Sequence, residues 1–209
     1  MSNITFDKEA KVNLSKEKYE WIRIWCEDTN NEELPRIALI GDSITEGYYN
    51  YVKEALRDIA KVDYLATSYS VASNIYIETV KNFINDSDYK VVHFNYGLHA
   101  YSVPEGLYAS CCKELLQFIC ERAKTIVATT TTVLDETLEI ENSRWKGKVF
   151  ERNEIITQIA TELNLAVNDL NSVCKEFDKT KRNTDGVHFV EAGYKELAKS
   201  VVLNIKELL

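Results

Sequence analysis

The run Ile37-Ala38-Leu39-Ile40, followed at once by Gly41-Asp42-Ser43, constrains this chain more than any other stretch. Four consecutive apolar residues ended by glycine read as a strand buried on both faces, the signature of a parallel sheet. A helical pattern starts within a few residues. The carboxyl end of such a strand is where open α/β sheets hold their ligands. Ser43 would stand beside the first free N–H groups of that helix, which favour negative charge. By residue type alone, Asp42 and Ser43 serve equally well as a helix cap and as a reactive turn.

From Arg36 onward, apolar runs and helical periodicities alternate. Strands are expected at Ile37–Ile40, Val62–Thr67, Lys90–Tyr96, Thr125–Thr130 and Leu165–Val167. Helical faces fall at Tyr51 to Ile59, Ile75 to Ile84, Leu107 to Phe118 and Val149 to Leu163. The last helix, Glu191 to Leu209, carries Tyr194, Leu197, Ala198, Val201 and Ile205 on one stripe. Ser102-Val103-Pro104-Glu105 reads as a capping box with proline in the first turn of the third helix.

Strand–helix alternation repeated about five times predicts an α/β fold, a parallel sheet covered by helices on both faces. Right-handed crossovers bring every strand-to-helix loop to one end of that sheet. Those loops hold Ser43, Ser68 to Asn74, Gly97 to His99, Thr131 to Gly147, and the segment between Asn168 and Val190. The fourth is long enough to be a lid or binding loop. Residues 1–34 read as an extension packed on a domain that spans residues 35–209. Within the extension, the aromatic island Tyr19, Trp21, Ile22, Ile24 and Trp25 is expected to pack on the domain surface, and Glu27 to Glu33 to be a solvated acidic loop.

Charge narrows the partners. The formal net charge of -8 over 209 residues disfavours nucleic acid and anionic membranes. A small-molecule ligand or another protein fits better. The five cysteines include no C-x-x-C pair, so neither a disulfide framework nor a zinc site is expected. Cys111, Cys112 and Cys120 read as small apolar fillers of one helix. The first residues lack a basic region followed by an apolar run, and no stretch approaches ~18 apolar residues. A cytoplasmic location is expected, and oligomeric state is not legible.

The chain has three histidines. His93 lies inside the third strand and reads as a satisfied core side chain. His99 follows that strand's end. His188 closes Asp185-Gly186-Val187-His188 just before the final helix. A carboxylate three residues before an imidazole, beside a glycine that permits a tight turn, suits a serine nucleophile, whose base must be held in one tautomer. Asp185 also serves as an ordinary turn residue.

Gly41-Asp42-Ser43-Ile44-Thr45 resembles the signature of the GDSL, or SGNH, hydrolases, and Asp185-Gly186-Val187-His188 resembles their terminal D-x-x-H motif. The resemblance spans about residues 35 to 205. It implies a three-layer α/β/α sandwich of flavodoxin-like type, five parallel strands in the order 2-1-3-4-5, and ester hydrolysis without metal or cofactor. It makes Ser43 the nucleophile, His188 the general base and acid, and Asp185 the group that orients the imidazole. The lipase-type G-x-S-x-G elbow is absent.

The oxyanion hole departs from the pattern. The family uses the N–H of the serine, a glycine N–H after the second strand, and the asparagine of G-x-N-D after the third. Here the second loop, Thr67 to Asn74, has no glycine, which leaves the N–H of Ser70 or a neighbour. Gly97-Leu98-His99-Ala100 places His99 where asparagine is expected, and a neutral imidazole N–H can donate to an oxyanion. Asn95 is the alternative donor. Tyr48, Tyr49, Tyr69, Tyr96, Arg144 and Trp145 are read onto strand-end loops; of these Tyr69, Tyr96 and Trp145 are the expected substrate contacts, and each serves equally as packing. The leading expectation is a serine esterase acting through an acyl-Ser43 intermediate on a small acylated molecule, an acetylated sugar being the plainest case. The alternative is a catalytically weak relative that binds a ligand or protein. Phosphate binding fits poorly, since the Ser43 loop has one glycine and no lysine.

Overall fold

The computed structural model describes residues 16–30, 33–145 and 147–209. Its strands are β1 (Ile22–Trp25), β2 (Arg36–Gly41), β3 (Lys61–Thr67), β4 (Tyr89–Asn95), β5 (Lys124–Ala128) and β6 (Ala166–Asn168). Its α-helices are α1 (Ser43–Leu56), α2 (Asn74–Asn85), α3 (Glu105–Cys120), α4 (Lys148–Glu162), α5 (Leu170–Lys175) and α6 (Glu191–Leu208). The strands form one sheet in the order β1-β3-β2-β4-β5-β6. Strands β2 to β6 are parallel and follow the order that the family resemblance implied.

The sheet has six strands rather than five. The additional one, β1, pairs antiparallel with β3, from Ile22 opposite Thr67 to Trp25 opposite Tyr64. The segment read as an aromatic island packing by its side chains is thus an edge strand held by its backbone. Its residues stay exposed, so no buried face imposes a readable period. Of the expected extension, residues 1–15, 31 and 32 lie outside the described residues.

Alternation along each strand sorts the core into two layers. Ala38, Ile40, Val92, Phe94 and Val127 face Ile77, Val80, Leu115 and Ile156 from α2, α3 and α4. Ile37, Leu39, Val91 and Ile126 face Tyr48, Val52, Leu56, Leu197, Val201 and Ile205 from α1 and α6. Tyr48 and Tyr49 therefore belong to the buried face of α1 and not to a loop. Cys111 and Cys112 fill the core under α3.

Helix α3 corrects the expected capping box. Pro104 is its N-cap and helical structure begins at Glu105, with no side-chain cap hydrogen bond. A capping box would require Val103 in helical geometry, which the ring of the following proline disfavours. Instead Val103 ends a turn, its N–H donating to the Ala100 carbonyl at 3.0 Å. The buried guanidinium of Arg152, from α4, then gathers the carbonyls of Ala100 and Val103.

Candidate active site

Ser43 is the first residue of α1, and its placement follows from the two residues before it. Asp42 caps the helix, its Oδ1 accepting the Ile44 N–H at 2.9 Å. Gly41 lets the strand pass close to its neighbours: a Cβ there would stand 2.0 Å from Thr45 Oγ1 and 2.7 Å from the Asn95 carbonyl oxygen. The Ser43 N–H is left as one of the free donors of a helix N-terminus. Burial lifts the Asp42 carboxyl above its usual range, against the opposing pull of His99, the Ile44 N–H and His188.

The second half of the site is the turn Asp185 to His188. Asp185 Oδ1 accepts the N–H groups of Val187 at 2.9 Å and His188 at 2.8 Å. Its Oδ2 lies 2.7 Å from His188 Nδ1, and His188 Nε2 lies 2.8 Å from Ser43 Oγ. Three side chains, with His188 145 residues from Ser43 in sequence, thus form one continuous hydrogen-bonded chain. Burial works against the Asp185 charge, but the N–H and ring of His188 and the N–H of Val187 outweigh it and hold the carboxyl below its usual range. The site opens to solvent, with the His188 and Asp185 side chains 36% and 45% exposed.

Gly186 makes this turn possible. Its φ is +71°, and a Cβ would stand 2.1 Å from the Leu134 carbonyl oxygen. Its own carbonyl accepts the Leu134 N–H at 2.9 Å. The long loop after β5 is therefore fastened to the turn rather than free to act as a lid. Leu134 also bridges to Glu141, and Asp135 N–H donates to the Ile140 carbonyl. Gly186→Ala should cost at least about 1–3 kcal/mol in backbone strain. It should also pull His188 from Ser43, lowering turnover together with the melting temperature; wild-type values for both would show that the turn tolerates the Cβ.

Sequence reasoning missed Arg182, for which the pattern carries no signal. It is buried beside the turn, donating to the carbonyls of Thr132 at 3.0 Å and Cys174 at 2.7 Å, with its guanidinium over the Phe189 ring. It ties the segment carrying Asp185 and His188 to the end of β5.

The remaining expected residues separate. Ser70 is buried in the β3–α2 loop, its hydroxyl accepting the Ala72 N–H. His99 sits in a short 3₁₀ turn after β4, with Nδ1 2.9 Å from Glu17 Oε1. Asn95 is buried and hydrogen-bonds the Tyr48 hydroxyl. Tyr69 is half-buried against the α2 and α3 layer. Tyr96 is not a surface contact: it is buried, its ring 4.5 Å from that of Tyr76. The Trp145 ring lies 4.8 Å from that of Tyr101, tilted by 57°, and the Arg144 guanidinium sits over the Tyr101 ring. His93 is a core residue as expected, between Asn168 at 3.1 Å and the Tyr48 hydroxyl, and burial pushes it down to about 3. Among the described residues, no cluster of His, Cys, Asp or Glu is arranged to hold a metal, and no helix is long and apolar enough to cross a membrane.

No family model matches the chain, and no curated protein matches its sequence. Its fold, however, is shared with solved esterases. Axe2, an acetylxylan esterase from Geobacillus stearothermophilus, is 17% identical over 82% of this chain and 94% of its own, with a TM-score of 0.68. The aryl esterase of M. smegmatis is 14% identical over 84% of this chain and 100% of its own, at 0.69. A candidate SGNH hydrolase from Slackia heliotrinireducens is 15% identical over 83% and 100%, at 0.65. The resemblance to GDSL/SGNH hydrolases drawn from the sequence is matched by the architecture, a three-layer α/β fold.

Proposed function

We propose that this chain is a serine ester hydrolase that works through an acyl-Ser43 intermediate. The observation that carries the reading is the chain from Asp185 Oδ2 to His188 Nδ1 (2.7 Å) and from His188 Nε2 to Ser43 Oγ (2.8 Å). A serine is a weak nucleophile until a base takes its proton, and a base 2.8 Å away, itself oriented by a carboxylate, meets that need.

In the forward step Ser43 Oγ attacks the ester carbonyl carbon while His188 Nε2 takes the hydroxyl proton. The carbonyl π electrons move onto oxygen. That oxyanion faces the N–H groups of Ser43 and of the Ser70 loop, with His99 as the side-chain donor. Collapse expels the alkoxide, which leaves with the proton from His188. Water then attacks the acyl carbon with His188 again as base, releasing the carboxylic acid and restoring Ser43. Asp185 stays ionised and holds the imidazole in the tautomer with Nδ1–H.

The open setting of His188 and Asp185 favours a substrate whose alcohol portion remains largely in solvent and whose acyl group is short. An acetylated small molecule or carbohydrate fits, and the acetylxylan esterase and aryl esterase that share the fold act in that range by name. The half-buried Trp145 and Tyr101 rings, with the Arg144 guanidinium over the latter, are the aromatic surface that would take a sugar. The test is acetate release from acetylated xylo-oligosaccharides and from 4-nitrophenyl acetate and butyrate. The expected result is Ser43-dependent turnover that prefers acetyl over butyryl; turnover of none of the three would contradict the reading.

A further inference from the structure

Resting on the esterase reading, we propose that Glu17, from the segment preceding β1, is a positioning residue that keeps His99 doubly protonated so that its Nε2–H faces the oxyanion. The stereochemistry of imidazole requires something of this kind. A neutral ring carries one N–H and one lone pair. His99 turns Nδ1 toward the Glu17 carboxylate at 2.9 Å, so a neutral ring would place its proton there. Nε2 would then be a lone pair, which repels a developing oxyanion instead of stabilising it. An asparagine amide has no such conflict. Histidine at this position can donate only as an imidazolium.

The surroundings supply that charge state. Glu17 and Glu20 approach His99 from the N-terminal segment and Asp42 from the β2–α1 turn, while β4 contributes the neutral Tyr96 ring, 6.5 Å away. Burial works against the imidazolium, but the Glu17 hydrogen bond and the fields of Asp42, Glu17 and Glu20 outweigh it, and the ring holds its proton to higher pH than usual. A charged donor is also worth roughly twice a neutral one to an anion.

The segment is built to hold Glu17 there. Its Glu20 carboxylate accepts both the Glu17 N–H and the Ser68 hydroxyl, each at 2.7 Å. The Ser68 hydroxyl in turn accepts the Trp21 N–H at 2.9 Å, and the Trp21 carbonyl accepts the Thr67 hydroxyl at 2.6 Å. One strap therefore spans the two loops that hold Ser70 and His99. It serves the oxyanion hole, in the place where the family pattern has its own glycine and asparagine.

His99 must be protonated to donate, so activity falls as pH rises through its raised titration. The profile carries an alkaline limb owed to His99. The experiment is the pH profile of 4-nitrophenyl acetate hydrolysis for the full chain, Glu17→Gln, His99→Asn and the double variant, with the His99 ring followed in parallel by NMR. Glu17→Gln should move both the ring titration and the alkaline limb to lower pH. Above the displaced limb the neutral ring is no longer held with its proton on Nδ1 and regains an Nε2–H donor, so the alkaline loss should be shallower than the roughly 10²–10³-fold expected of wild type. His99→Asn should abolish the limb, and Glu17→Gln added to it should change nothing further. The proposal is overturned if Glu17→Gln leaves ring titration and limb in place, or if it slows hydrolysis equally at every pH in both backgrounds, the mark of a packing role. A His99 ring that responds to Glu17→Gln in a chain without Ser43-dependent hydrolysis would contradict the esterase reading itself, and the catalytic role of the pair with it.

Discussion

Ser43→Ala is expected to lower turnover by on the order of 10⁶, the scale set by removing the nucleophile of a serine hydrolase that keeps its oxyanion hole. Substrate affinity should change little, because the hydroxyl acts in bond formation and not in ground-state binding. His188→Ala should cost about as much, since without the base 2.8 Å from Oγ the serine keeps its proton. Asp185→Asn should cost less, roughly 10⁴, through the wrong imidazole tautomer. Combining the three should cost no more than Ser43→Ala alone, because they act as one unit. Additive losses would mean that the three side chains lie together without working together.

The second large effect is on stability and sits at the other end of the sheet. Asp63 is fully buried in β3, and four donors converge on its carboxylate: Arg36 Nε and Nη2 at 3.0 Å each, the Glu27 N–H at 3.0 Å and the Tyr89 hydroxyl at 3.1 Å. Arg36 also donates to the Glu27 carbonyl, so the pair ties the chain after β1 to the start of β2. Asp63→Ala leaves a largely buried guanidinium without its counter-charge, which costs about 3–5 kcal/mol. For a chain of 209 residues that corresponds to a fall of about 6–20 °C in melting temperature. Turnover measured well below that transition should be retained, because the reacting groups lie at the carboxyl ends of the strands. A melting temperature unchanged by Asp63→Ala would show that water satisfies Arg36 after the substitution.

The two effects mark what could be read from the sequence. Strands buried on both faces announce themselves as continuous apolar runs, so β2 to β5 were legible, as were Ser43, Asp185 and His188 in their motifs; the short, largely exposed edge strand β6 was placed by its alternation with helices. Strand β1 was not, because an exposed edge strand is defined by a partner 39 to 45 positions away and not by its own pattern. Glu17 escaped for the same reason: its partner lies 82 positions on. Tyr96 was legible but misread. It stands two residues after Phe94 and shares its face, so alternation sends both rings into the α2 and α3 layer. Tyr48 follows Ile44 by one helical turn and precedes Val52 by another, the spacing of a buried stripe. Arg152 and Arg182 were beyond reach, since a buried arginine is recognised only by the carbonyls that tertiary structure brings to it.

The most direct test of the account is covalent labelling with a fluorophosphonate followed by peptide mass mapping. The reagent's phosphorus is attacked only by a serine whose proton a neighbouring base removes. A single adduct on Ser43, lost in His188→Ala while the variant remains folded, is the predicted result. No adduct, or labelling of Ser43 that persists without His188, would contradict it.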